Sequence, residues 1–184
     1  AVGKAGWNPA LVDKPQTIEE LKFANYLKEI YLDSDTKVAC ISGAPSEIPA
    51  DWFLTNDMKA QARATINAIA GSRRAFAHAI FTPGYPGWLD EIDRAIATLK
   101  PDSFKGYTIG ENTPKDLSRH PWRLDDEKLA YPAYEKFVKA GVTNVCIHKG
   151  LFPPLTAQRY PNLLAHADVS DVGRAARDWP QLNF

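Results

Sequence analysis

At 184 residues, with 45% hydrophobic and 11% aromatic side chains, the chain has the size and composition of one globular domain with a sizeable core. Twenty-two basic residues balance twenty-two acidic ones, so the charge favours neither nucleic acid nor an anionic membrane surface as a partner. No apolar run approaches the ~20 residues that cross a bilayer, and residues 1–9 lack the basic start and apolar centre of a secretory signal.

Thr17-Ile18-Glu19-Glu20 has the spacing of a capping box, and Leu21, Phe23, Leu27, Ile30 and Tyr31 continue it as a helix to about Leu32. Residues 37–42 form a short apolar strand closed by Gly43 and Pro45. A second helix over 57–70 carries Met58, Ala62, Ile66 and Ile69 on one face and leads into a strand over 75–81. Leu89, Ile92, Ile96 and Leu99 recur at threes and fours and predict a third helix, followed by a strand over 104–109 that Gly110 stops. After a polar loop, Asp125 or Asp126 caps a helix with Leu129, Ala133, Phe137 and Val138 facing inward, ending at Gly141. The strand over 143–150 carries His148 at its C-terminal tip. A last helix over 170–178 precedes Pro180 and the opening of another strand at Leu182-Asn183-Phe184.

Strands alternating with helices imply parallel pairing through crossover helices. Two architectures use this rhythm, a doubly wound open sheet and a (β/α)₈ barrel. Length favours the open sheet, because a barrel needs about 250 residues. Against it, no strand is followed by Gly-x-Gly-x-x-Gly or a Walker-type loop, and the chain stops at the opening of a further unit. The expectation is therefore an α/β fold of (β/α)₈ TIM-barrel type, incomplete, forming one domain over residues 1–184.

Strand alternation puts Cys146 and His148 on one face, with His148 at the end where parallel α/β folds carry their chemistry. An imidazole there binds a metal or moves a proton. A Cys146–His148 nucleophile pair is disfavoured by the separation of residues two apart on a strand, about 6.6 Å, and by the depth of Cys146. His78 lies in mid-strand and reads as a packed, satisfied histidine; His120, on a long loop over the expected active-site mouth, reads as a surface residue with substrate contact as the alternative, and His166, after a variable-looking loop, has no role assigned. Asp125-Asp126-Glu127 reads as a helix start, Ser42-Gly43 as a strand-end turn, and Lys105 as too early in its strand for a metal-bridging or Schiff-base role. Cys40 and Cys146 sit in apolar strand patterns, where thiols act as small hydrophobes, and reduced thiols suit a cytoplasmic setting.

The run from Pro121-Trp122-Arg123-Leu124-Asp125-Asp126-Glu127-Lys128, through Tyr131-Pro132 and Gly141, to Cys146-Ile147-His148-Lys149-Gly150-Leu151 resembles the amidohydrolase-related metal-dependent hydrolases. Their branch of the amidohydrolase superfamily also holds the aminocarboxymuconate-semialdehyde decarboxylase-like enzymes. Lys105-Gly106-Tyr107-Thr108-Ile109-Gly110 and Asp178-Trp179-Pro180-Gln181-Leu182-Asn183-Phe184 share the resemblance. It implies a distorted barrel holding a divalent metal, usually zinc, that activates water for hydrolysis or assists a non-oxidative decarboxylation of a small molecule. His148 matches the metal-ligand histidine ending the fifth strand. The family's His-x-His on the first strand, its histidine on the sixth and its aspartate on the eighth have no counterpart in the chain. The resemblance thus implies roughly strands two to five and the start of the sixth. A chain so composed is expected to be inactive alone and to self-associate through open barrel edges. The alternative reading is a self-sufficient α/β binding module in which His148 is structural.

Overall fold

The computed structural model describes residues 23–43, 49–109, 119–150 and 153–184. The capping box at Thr17 and the turn residues Pro45 and Gly110 lie outside them. The chain divides after Val38 into two units. In the first, helix α1 (Phe23–Leu27) widens into a π-helical turn over Lys28–Leu32. Tyr31 is its buried residue and meets Tyr26 edge to face at 6.2 Å. The Ser34 hydroxyl donates to the Ile30 carbonyl (2.6 Å) just past the end of this helix.

The second unit, Ala39–Phe184, is built on four parallel strands, β1 (Ala39–Ile41), β2 (Ala75–Ile80), β3 (Ser103–Tyr107) and β4 (Val145–His148). They are neighbours in chain order, β1-β2-β3-β4, with no switch point. A parallel bridge between Asn144 and Asn183 starts the next pairing beyond β4. Sequential parallel order with intervening helices is the wall of a (β/α) barrel and not a doubly wound sheet.

Helices α2 (Asn56–Ala70), α3 (Trp88–Arg94, extended by a π-helical turn to Leu99) and α4 (Tyr131–Ala140) connect the strands. Gly71 and Gly141 close α2 and α4 with φ of 62° and 74°, a left-handed conformation that a β-carbon disfavours. On the helix side, Ala79, Phe104 and Val145 join Phe137, Tyr134, Ile92 and Ala95 in one core. Phe104 and Phe137 stack at 3.9 Å, and Phe81 sets its edge against both. Trp122 closes this core, its indole N–H donating to the Tyr107 carbonyl (2.8 Å).

Three expectations need correction. The sheet-facing stripe of α2 is Asn56, Lys59, Arg63 and Ile66, whereas Met58 and Ile69 are 50% and 66% exposed. Polar groups win those positions because they hydrogen-bond strand ends: Asn56 Oδ1 accepts from Ile80 N–H (2.7 Å), and Asn67 Oδ1 from Arg74 and Ala75 N–H. Helix α4 starts at Tyr131, not at Asp125 or Asp126. Pro132 in its first turn lacks an N–H to donate, which suits it to that place. Asp126 instead opens the turn that leads into α4, accepting from Lys128 and Leu129 N–H. Finally, residues that read as loop form short helices after β4, α5 (Pro154–Arg159) and α6 (Leu164–Ala167), before α7 (Val172–Asp178). Four to seven residues are too few for hydrophobic periodicity to register.

Candidate functional site

The register of the strands decides which side chains meet on the face turned away from the helices. His78 is level with Ser103, Ile80 with Lys105, Lys105 with Cys146, and Tyr107 with His148. In a parallel ladder, paired residues point the same way, so this inner face carries Cys40, His78, Ser103, Lys105, Tyr107, Cys146 and His148. The chemistry-bearing side chains of the sheet therefore lie on one surface, opposite the aromatic core.

His148 ends β4, exposed, with its ring stacked on Tyr107 at 4.5 Å and 8° between planes. Lys105 Nζ lies 5.4 Å from the same Tyr107 ring and donates to Ser42 Oγ at 2.8 Å. That hydrogen bond runs from β3 to the residue after β1, across the intervening β2, so the three strands bend toward one another on this side. Ser42, Lys105, Tyr107 and His148 form a continuous lane across the inner face.

Deeper on the same face, His78 is held from both ring nitrogens. Nδ1 is hydrogen-bonded to Ser103 Oγ, and Nε2 lies 3.4 Å from Cys40 Sγ. Burial, and then the positive charge of Lys105 and Lys59, lower the pKa of His78, which favours neutral imidazole. Burial first, then Cys146 and Asp102, raise that of the Cys40 thiol. A raised thiol beside a weakened base is not an activated nucleophile. Cys40 and Cys146 are both free and exposed, unlike the buried hydrophobes their strand patterns suggest. Alternation places them on the inner face, away from the packed core.

Lys149 follows His148 and points to the helix side. Its Nζ binds Asp171 (3.0 Å) and the His166 carbonyl (2.6 Å), with both charged side chains nearly inaccessible. Asp171 also accepts the Leu124 N–H (2.8 Å), and Thr108 donates to the His166 carbonyl (2.7 Å). This network ties the ends of β3 and β4 to the segments around α6 and α7. His166 thus acts through its backbone. His120 lies beside Gly84 and meets Tyr85 edge to face at 6.2 Å. Neither is gathered with His148, and Asp125 and Glu127 are taken by Arg123 and Arg174.

Among the described residues, no group of three or more His, Cys, Asp and Glu side chains could hold a metal ion. A catalytic zinc takes three protein ligands. The described residues accordingly do not make a metal centre by themselves, and His148 stands alone among them in position to give one ligand. Lys59, which nothing in its helix pattern singles out, is buried within electrostatic reach of this face. Its Nζ is buried close to Gly43 and interacts electrostatically with Lys105 and Cys40.

No family model and no curated protein matches the sequence. Among solved structures, the 5-carboxyvanillate decarboxylase from Sphingomonas paucimobilis is similar at a TM-score of 0.41 and 14% identity. The match covers 70% of this chain and 39% of that one, so the chain spans well under half of that enzyme's length.

Proposed function

We propose that the chain is the central part of a barrel enzyme of the amidohydrolase-related kind, acting with a divalent metal, usually zinc, on a small-molecule substrate by hydrolysis or non-oxidative decarboxylation. One observation carries this reading: His148 ends a parallel strand on the inner face of a sheet whose strands follow in chain order. In barrels of that order, chemistry sits at the C-terminal ends of the strands. The sequence resemblance around Cys146-Ile147-His148-Lys149-Gly150 supports the same assignment. When bound, the metal would supply a Lewis acid that activates water or polarises the substrate. His148 gives it one ligand, and the stacked Tyr107 ring limits rotation of that imidazole. The remaining ligands would come from outside the described residues, which by themselves hold no group of three. Two free thiols suit a cytoplasmic setting.

The test is zinc titration of two proteins, the 184-residue chain and a longer one that carries the rest of the barrel. The longer protein should hold zinc stoichiometrically and lose it with His148→Ala, while the short chain binds zinc no better than a surface histidine does. Tight stoichiometric zinc in the short chain, or zinc retained by His148→Ala in the long one, would sink the proposal.

The close stacking of His148 on Tyr107 favours a second reading, a self-sufficient α/β binding module in which the imidazole is structural. On that reading His148→Ala lowers the melting temperature and leaves metal content unchanged. Calorimetry of the same variant separates the two.

A further inference from the structure

Two ammonium groups lie near the end of β1, Lys105 on the inner face and Lys59 buried next to Gly43, and among the described residues neither has a carboxylate partner. Lys105 spends one hydrogen on Ser42 Oγ. Lys59 is 0% exposed, and its Nζ has no hydrogen-bond partner. A buried cation without a counter-charge is among the costliest features a fold can carry, and a methionine would occupy the same volume without that cost. Retaining lysine there conflicts with stability, as groups kept for binding commonly do.

The surroundings show what the charge is kept for. A β-carbon on Gly43 would sit 3.5 Å from Lys59 Nζ, 3.0 Å from Ile80 Cδ1 and 3.3 Å from the Leu54 carbonyl, so glycine lets the buried backbone after β1 pack directly over the ammonium with no side chain between them. Ser42, the residue before it, already faces Lys105. The two lysines repel each other, and burial together with Lys105 brings Lys59 down to about 8. Cys40 and Glu91 oppose that shift, and His78 nearby is lowered by burial first and then by both lysines, with Asp102 acting the other way. A negative group between them relieves the repulsion and supplies the missing partner.

We propose that Ser42, Gly43, Lys59 and Lys105 form a binding site for a small oxyanion, the carboxylate or phosphate group of a ligand entering from the inner face. The oxyanion accepts from Lys105 Nζ and Ser42 Oγ on the open side. Lys59 adds a second positive charge from within the protein, where low dielectric strengthens its pull. Lys105 lies against Tyr107, which stacks on His148, so the anion sits on the lane that leads to the strand-end histidine. The site is complete without a metal and stands whether or not His148 ligates one.

Thermal unfolding of the metal-free 184-residue chain at pH 7 tests it, with inorganic phosphate, acetate or benzoate exchanged for chloride at constant ionic strength. The melting temperature should rise with phosphate or with the carboxylates, and which of the two acts at lower concentration identifies the group. Lys105→Met should abolish the rise, with Lys105→Gln as the substitute if the first variant does not fold. Lys59→Met should weaken the anion about tenfold, equivalent to about 1.4 kcal/mol, yet raise the melting temperature without anion. No response of the unsubstituted chain to any of the three anions overturns the proposal. So does an unchanged response in the lysine variants, or a lower anion-free melting temperature in Lys59→Met, which would mean that the ammonium already has a partner.

Discussion

His78 illustrates how a single side chain is settled by its neighbours across the sheet. Ser103 Oγ and Cys40 Sγ occupy its two ring nitrogens, and burial lowers its pKa. The sign of the pH effect follows directly. Above the unfolded value of ~6.5 the imidazole is neutral in both states and contributes nothing. As pH falls below that value, the unfolded chain takes up a proton that the folded chain resists, and stability is lost at up to about 1.4 kcal/mol per pH unit. His166, also lowered by burial, acts in the same window. Urea unfolding between pH 8 and 5, as a function of pH, should therefore show a slope that His78→Gln reduces. A slope unchanged in that variant would place the effect elsewhere. Asp102 acts in a different window. Burial alone would raise its pKa, but the Ala77 N–H, Arg63 and Arg73 lower it, so its contribution is full above ~4 and disappears only in stronger acid.

Helix α2 is an element seated by amides at both ends as well as by its buried Ile66. Asn56 spans the C-terminal end of β2, with Oδ1 on the Ile80 N–H and Nδ2 donating to the Ile80 carbonyl (3.1 Å) and to Glu91 (2.9 Å). Asn67 does the same at the other end, taking two N–H groups and donating to the Ala75 carbonyl (3.0 Å). Between them Arg63 donates to the carbonyls of Leu99 and Lys100 and to Asp102. Eleven residues of helix separate the two asparagines by about 16 Å, so they act independently. Asn56→Leu and Asn67→Leu should each cost about 2 kcal/mol in denaturant unfolding, with additive effects, because each strands buried backbone groups. Either variant matching the parent in stability would show that water replaces the amide. On the opposite side of the sheet from the lane, Gly106 allows the core to close. A β-carbon there would lie 2.8 Å from Trp122 and 3.0 Å from Phe81, so Gly106→Ala should destabilise by about 1–3 kcal/mol. A melting temperature unchanged by that substitution would refute the packing argument.

At the scale of the molecule, one face of the sheet is sealed by helices and the other is open. Ser42, Cys40, Cys146 and His148 are all exposed on a surface that a closed barrel would enclose. Both thiols should accordingly react with an aromatic disulfide reagent in the native 184-residue chain, Cys40 more slowly because burial raises its pKa. In a protein that carries the rest of the barrel, both should be protected until unfolding. Equal protection in the short chain would mean that something already covers the inner face. Self-association is the natural candidate, and sedimentation velocity at rising concentration detects it.

The alternation of strands and helices, the apolar faces of α3 and α4 and the end of α4 at Gly141 were legible in the chain itself, since period and turn chemistry are local properties. Parallel order followed from the same rhythm through the crossover rule. So did the place of His148 at a strand end on the face of Cys146, because side-chain alternation needs no partner strand. Tertiary structure alone decided which side chains of different strands stand level, and hence that Ser42, Lys105, Tyr107 and His148 share one lane. It also corrected the apolar reading of α2: Ile66 is buried as its pattern suggests, but Met58 and Ile69 face solvent and the other inward positions are held by Asn56, Lys59, Arg63 and Asn67. Those polar residues look like a solvated face until the unpaired backbone groups at the ends of β2 are in view. Lys59 was hidden for the same reason: burial is a property of what surrounds a residue, and the sequence of a helix shows only the residues beside it.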